Sequence, residues 1–432
     1  MLEKILVWLL MPVMLITILT GCYDAREIDD EVYAISLGID KGLKNKVRLT
    51  IQYPTYMGAG GSGSSSGTSG KENKKAQPTS IVDTIEAPTL LEGIDMFSTS
   101  ISRRVSLMHT KWVVFSEEIA REGIDGYIAG FERYKETRPS MFLVVVRGSA
   151  EEFITENKAN IGSSISKSNE LFIKQSKFTS IFPMVKLLDF YTAMISTYRS
   201  PVTAYGGVND FNNESNNESI GTKYGNTARK GLLPGEVPRS GVSKRELAGT
   251  AVFQAGKMVG SLDSYETAAY LMIAGKYRGG MISIPDKYSS DKYIVFDIHK
   301  SRPNKVKAYF KDGKPVIDLT IELETEVYSI QSQINYESLE LIHDLESQIN
   351  DYLLESIRHT IDKTQKELKA DIFGFGENMA GNFFTIEEWE AYNWPSKYPD
   401  ALINLSLDSE IRRTGTISMS HKKPGSTGGN KK

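Results

Sequence analysis

The stretch HTKWVVFSEEIAREGIDGYIAGFERYKETRPSMFLVVV, residues 109–146, decides the fold. His109 to Phe115 reads as a buried strand, and Met141 to Val146 as another, because each is a short apolar run. Between them Ser116 stands where a helix N-cap belongs, with Glu117 and Glu118 in the first turn, where the helix dipole favours anions. The helix that follows offers Ile119, Ile124, Tyr127, Ile128 and Phe131 to a core. Ser149 starts another short helix. Strand, helix and strand in succession predict an α/β domain.

Toward the N-terminus, a helix from Ala87 carries Leu91, Ile94, Phe97 and Ile101 on one face. Three strands precede it, at Val32–Asp40, Lys46–Tyr53 and Ser80–Ile85. A flexible loop, 57–76, interrupts them. Its core, Gly58 to Gly70, holds six glycines and five serines and cannot bury apolar area. The first domain therefore spans 22–205 and carries this loop.

Toward the C-terminus, residues 206–245 are poor in apolar side chains and contain an Asn-Asn-Glu-Ser tandem at 212–219. They read as a linker. A second domain, 246–420, opens with strands Gly249–Gln254 and Lys257–Leu262 around the turn Ala255-Gly256. A helix follows over Asp263–Ala274. Further strands lie at Gly280–Ile284, Tyr293–His299, Lys305–Phe310 and Val316–Ser329. Tyr336 to Lys369 reads as one helix about 50 Å long, with Ile342, Leu345, Ile349, Leu353, Ile357, Ile361 and Leu368 at mostly three-to-four spacing. Leu402 to Ile411 closes with a strand, and 421–432 is expected to be a disordered tail. The fold class is thus a mixed α/β N-terminal domain followed by a strand-rich α+β domain with one long helix.

The formal net charge is −3, with 51 basic and 54 acidic residues, so nothing marks a nucleic-acid partner. A single cysteine, Cys22, permits neither an internal disulfide nor a cysteine-rich zinc site. The five histidines are scattered, and no cofactor or metal is expected. Residues 1–21 read as a signal segment. The apolar run Ile5–Ile18 is shorter than the roughly 20 residues needed to cross a bilayer. Leu19-Thr20-Gly21-Cys22 resembles a bacterial lipobox, which implies cleavage before Cys22 and a diacylglyceryl anchor on its sulfur.

Gly58-x-Gly60-x-x-Gly63 lacks the helix a dinucleotide site needs. Gly63-x-Ser65-x-Gly67 lacks the strained strand-to-helix turn of a hydrolase elbow. The pairs Glu117-Glu118, Glu151-Glu152 and Glu387-Glu388 are neighbours on helix starts and do not face each other. Arg103 and Arg104, ahead of His109 and Lys111, form the densest polar cluster of the first domain. They are either a partner contact or cations decorating a helix end. Phe373-Gly374-Phe375-Gly376, read as an exposed pair of aromatics between glycines, is either a helix C-cap or a recognition tip for a partner.

Together these residues resemble the Ger(x)C spore germination lipoproteins, the C subunits of nutrient germinant receptors. The carriers are Gly21-Cys22-Tyr23-Asp24, Arg26-Glu27-Ile28, Gly38-Ile39-Asp40, Ser102-Arg103-Arg104 and His109-Thr-Lys111. Further on they are Gly249–Phe253, Lys257–Gly260, Glu266, Gly275-Lys276, Gly279-Gly280 and Asp371–Gly376. Tyr23 departs from the usual Trp, and Glu377–Phe384 lacks the expected basic character. The resemblance implies no enzyme activity. It implies a lipoprotein on the outer face of the spore inner membrane, assembled with the integral membrane A and B subunits. The alternative function is a solute-binding lipoprotein of a transporter, which would need two similar lobes around a cleft.

Overall fold

The computed structural model describes residues 1, 27–44, 46–55, 80–158, 164–210, 231–332, 334–336 and 338–415. Cys22, the Gly/Ser loop, the Asn-Asn-Glu-Ser tandem and the tail from His421 lie outside them.

The first half of the chain supplies β1 (Glu31–Tyr33), β2 (Ser36–Lys41), β3 (Val47–Pro54), β4 (Ser80–Ala87), β5 (Arg104–Ser106), β6 (Trp112–Ser116), β7 (Phe142–Arg147) and β8 (Val202–Val208). The second supplies β9 (Arg245–Gln254), β10 (Lys257–Leu262), β11 (Gly279–Asp286), β12 (Ser289–Lys300), β13 (Lys305–Lys311), β14 (Lys314–Ile330) and β15 (Leu402–Arg413). An eight-stranded sheet runs in the order β10-β9-β8-β7-β6-β2-β3-β4. Its centre, β2, β6, β7 and β8, is parallel, and antiparallel pairs flank it on both sides.

The apolar runs of β6 and β7 have their explanation here. Trp112, Val114, Val144 and Val146 belong to one core, and Val113, Phe115, Leu143 and Val145 to another. A sheet covered on both faces has no side left for polar alternation.

The helix expected after Ser116 is broken in two, Glu117–Glu122 and Asp125–Arg133, by Gly123 at φ +132°. The break turns the Ile124 N–H to the Gly256 carbonyl, 2.8 Å away, at the tip of the β9–β10 hairpin. The helix near residue 90 starts at Leu90, so Leu90, Ile94 and Phe97 face inward and Leu91 is exposed.

One boundary needs correction. The segment read as the opening of a second domain, β9 with β10, completes the first sheet by pairing with β8. Arg245, at the head of β9, places its guanidinium 5.2–5.4 Å from the rings of Trp112, Phe153 and Phe172. Burial pushes its pKa down to about 9, which leaves it charged at neutral pH, and cation–π attraction pins the strand as it re-enters.

The second sheet is built on the 17-residue β14. β12 and β13 pair along one edge of it, antiparallel, and β15 pairs with the other edge in parallel. One face packs on a helix over Leu339–Lys366, shorter than the expected span: the backbone at Ser338 is extended, and Lys369 turns left-handed at φ +49°. Leu345, Ile349, Leu353, Ile357 and Ile361 are buried at four-residue spacing, the stripe read from sequence. The helix Ser264–Ile273, capped by Asp263 and buried nearly throughout, lies between the long helix and the first sheet. Among the described residues no helix is long and apolar enough to cross a membrane.

Candidate functional site

The Phe-Gly segment turns out to be organised by the residue before it. Asp371 is buried, and its Oδ1 accepts the N–H groups of Phe373 (3.1 Å) and Gly374 (3.0 Å). Its Oδ2 accepts the Gly376 N–H and the Trp394 Nε1–H, both at 2.9 Å. Burial pushes the Asp371 carboxyl above its ordinary pKa, while the indole and backbone donors pull it back. The four donors wind residues 371–376 into a tight turn that starts the helix Phe375–Ala380. Gly376 has no room for a side chain: a Cβ there would sit 2.2 Å from the Tyr198 carbonyl oxygen.

The expected exposure of the aromatic pair is therefore corrected. Phe375 is 2% exposed and Phe373 is part-buried, both in the core of the second lobe. Their rings lie 5.2 Å apart, and Phe373 also meets Tyr270. A buried carboxylate and a tryptophan from farther along the chain pull inward a pair that glycine flanks suggested was loose.

This turn is a seam between the two lobes. The Ser200 N–H donates to the Asp371 carbonyl at 2.7 Å, and Gln254 Nε2 donates to the carbonyls of Leu368 and Lys369. Trp389 donates from Nε1 to Thr197 Oγ1 at 2.9 Å and stacks on Tyr198. A cleft of about 940 Å³ opens beside it, with Arg199, Gln254, Gln365, Lys366, Asn393 and Asp400 in its walls.

Arg103 and Arg104 sit elsewhere. Arg104 opens β5, the partner of β1 in a two-stranded parallel sheet, and pairs with the nearly buried Glu136 at 2.9 Å. It is a strand residue, so the helix-end reading is replaced. Nearby, the His109 ring meets Tyr33 edge-on, and burial with Arg138 and Lys111 lowers its pKa. Tyr33 and Arg104 flank Val32 and Val105 of the first lobe's core, whereas Phe373 and Phe375 pack in the second. The capping role of Asp371 has a sequence signal, because an Asp ahead of a glycine-rich turn can cap N–H groups two and three positions on.

Fold and site define a two-lobed mixed α/β protein whose most elaborate polar constellation is a structural clamp. Comparison with known proteins narrows this. Residues 24–208 match the family described as spore germination protein N-terminal domain, and 248–415 match spore germination B3/GerAC-like, C-terminal. The chain is 26% identical over 437 residues to spore germination protein KC of Bacillus subtilis (strain 168), covering 96% of this chain and 97% of that one. It is 23% identical over 412 residues to the putative spore germination protein YfkR of the same organism, covering 94% and 96%. The crystal structure of the GerBC protein has the same fold at a TM-score of 0.51, with 17% identity over 87% of this chain and 96% of that chain. The chain belongs to the Ger(x)C family of spore germination proteins.

Proposed function

We propose that this chain is a non-enzymatic, lipid-anchored subunit of a nutrient germinant receptor complex, required for the germination response. It is held by Cys22 on the outer face of the spore inner membrane and assembles there with two integral membrane subunits. The observation that carries this reading is collinearity: both family regions occur in order, and the relatives named spore germination proteins match over nearly their whole length. The lipobox at Leu19–Cys22 supports the anchor. Two acyl chains on one residue suffice for stable membrane attachment, where one does not.

The solute-binding alternative has less support. It calls for two similar lobes around a cleft, and here an eight-stranded sheet with a parallel centre faces a five-stranded sheet built on one long strand. The two share no architecture.

The test is fractionation and capture from spores carrying a tagged chain. The wild type should resist salt washing and bring down two integral membrane proteins. Cys22→Ser should move the folded protein to the soluble fraction and weaken the germination response. Firm membrane retention of that variant, or capture without any integral membrane protein, would refute the respective half of the reading.

A further inference from the structure

A second depression, of about 500 Å³, lies where the lobes meet at the far end of the helix Ser264–Ile273. The first lobe contributes Ser176, Lys177 and the segment Phe182–Val185, and the second contributes Tyr270, Leu271, Gly275–Arg278 and Lys300. Four lining residues are cationic, and none is Asp or Glu.

The plainest explanation for basic residues here is the helix C-terminus, whose carbonyls attract cations. That demand is already met. Lys300 Nζ donates to the Gly275 carbonyl at 2.8 Å, and Asn304 Nδ2 donates to the carbonyls of Met272 and Ile273. Lys276 and Arg278 lie beyond the helix end, and Lys177 arrives from the other lobe. All three are exposed, and none pairs with a carboxylate among the described residues. An anion entering this cavity would meet cations from both lobes and no acidic side chain in its wall.

The cavity is also firmly built. Ser180, in the left-handed region at φ +49°, donates from Oγ to the Gly279 carbonyl at 2.7 Å. A Cβ at Gly280 would lie 2.9 Å from the Thr179 carbonyl oxygen, so only glycine lets β11 pass this close to the short helix Ser176–Thr179. Phe182, Leu271 and Tyr277 are buried in the walls, and Met184 is exposed at the rim. The volume, the apolar side chains and the cationic lining suit a small anionic ligand.

We propose that this pocket binds an organic phosphate, its dianionic head held by Lys177, Lys276 and Arg278 and its apolar body lying on Phe182 and Tyr277. The source of the phosphate is either a free metabolite or an anionic lipid headgroup. The proposal stands apart from the receptor reading, since it concerns only this pocket.

The test uses the full-length protein at fixed ionic strength, with phenyl phosphate as probe in calorimetry. Phenyl phosphate should bind more tightly than inorganic phosphate, and phenol should not bind measurably. The double variant Lys276→Gln/Arg278→Gln should keep its melting temperature and lose at least tenfold in phenyl phosphate affinity. Lys177→Gln alone should lose several-fold, which ties the site to both lobes. Phosphatidylcholine vesicles with and without phosphatidic acid then identify the source. Binding to phosphatidic acid that falls in the double variant and is displaced by phenyl phosphate assigns a lipid headgroup. Variant-sensitive phenyl phosphate binding without variant-sensitive vesicle binding assigns a free organic phosphate. If phenyl phosphate does not bind, or binds equally to wild type and the double variant, the proposal is overturned.

Discussion

The two sheets solve the same problem in opposite ways. The first buries its centre on both faces, so β6 and β7 carry unbroken apolar runs, Trp112–Phe115 and Phe142–Val146. The second covers one face with a long helix and leaves the other to solvent, so β14 alternates. Val316, Ile317, Leu319, Ile321 and Leu323 are buried, whereas Asp318, Thr320, Glu322 and Glu324 are half-exposed. A sheet with two dry faces is a frame and has little surface to offer. A sheet with one wet face can present side chains to a partner while its other face holds the core. The second sheet therefore presents a polar face that the centre of the first sheet lacks.

The sharpest way to break this comparison is to put the same kind of polar group into each sheet. Val144 is fully buried in β7, with sheet neighbours on both sides. Val144→Asp should abolish folding, because an unpaired buried carboxylate costs several kcal/mol against a total stability of about 5–15 kcal/mol. Soluble yield and near-ultraviolet circular dichroism report it. A cooperatively folding variant would mean that the first sheet is not the rigid frame described here.

The seam should respond next. Phe375→Ala removes a buried ring from the core of the second lobe and should destabilise the protein by about 3–5 kcal/mol in chemical denaturation. Loss of partner capture with unchanged stability would return Phe375 to the role of an exposed contact and overturn its burial.

How much of this could be read from sequence follows the range of the forces involved. The apolar runs of β6 and β7 and the four-residue stripe of the long helix are local patterns, and they were legible. The membership of β9 and β10 in the first sheet was not. Their hairpin reads correctly from Ala255-Gly256, yet nothing within it says that Val252 will pair with Val202. The helix break at Gly123 and the inward pull on Phe375 have the same origin. Each depends on a residue remote in the chain, Gly256 in one case and Trp394 in the other. The pocket of Lys177, Lys276 and Arg278 joins residues a hundred positions apart. Arg104 is a strand residue paired with Glu136, a partner 32 positions on that spacing does not reveal.

The smallest effect should come from the wet face of the second sheet, and its pH dependence carries the information. Glu322 Oε1 accepts from Lys305 Nζ at 2.8 Å, and its Oε2 lies 3.4 Å from the Arg302 guanidinium. The Lys305 hydrogen bond, ahead of the other causes, holds the Glu322 pKa below its ordinary value of 4.5. A carboxylate with a depressed folded-state pKa contributes stability that is fully present above the unfolded value. That contribution is lost as pH falls from about 4.5 through the folded value, since protonation then occurs in both states. Solvent screening keeps an exposed pair weak, so Glu322→Gln should shift the denaturation midpoint only slightly at pH 7. The difference from wild type should shrink as pH falls below 4.5 and vanish once the native carboxylate is itself protonated. The same change in a dry sheet would leave a large and pH-independent defect. A midpoint shift that persists undiminished as pH is lowered well below 4.5 would therefore show that Glu322 matters through packing, and that this face of the second sheet is less open than its alternation implies.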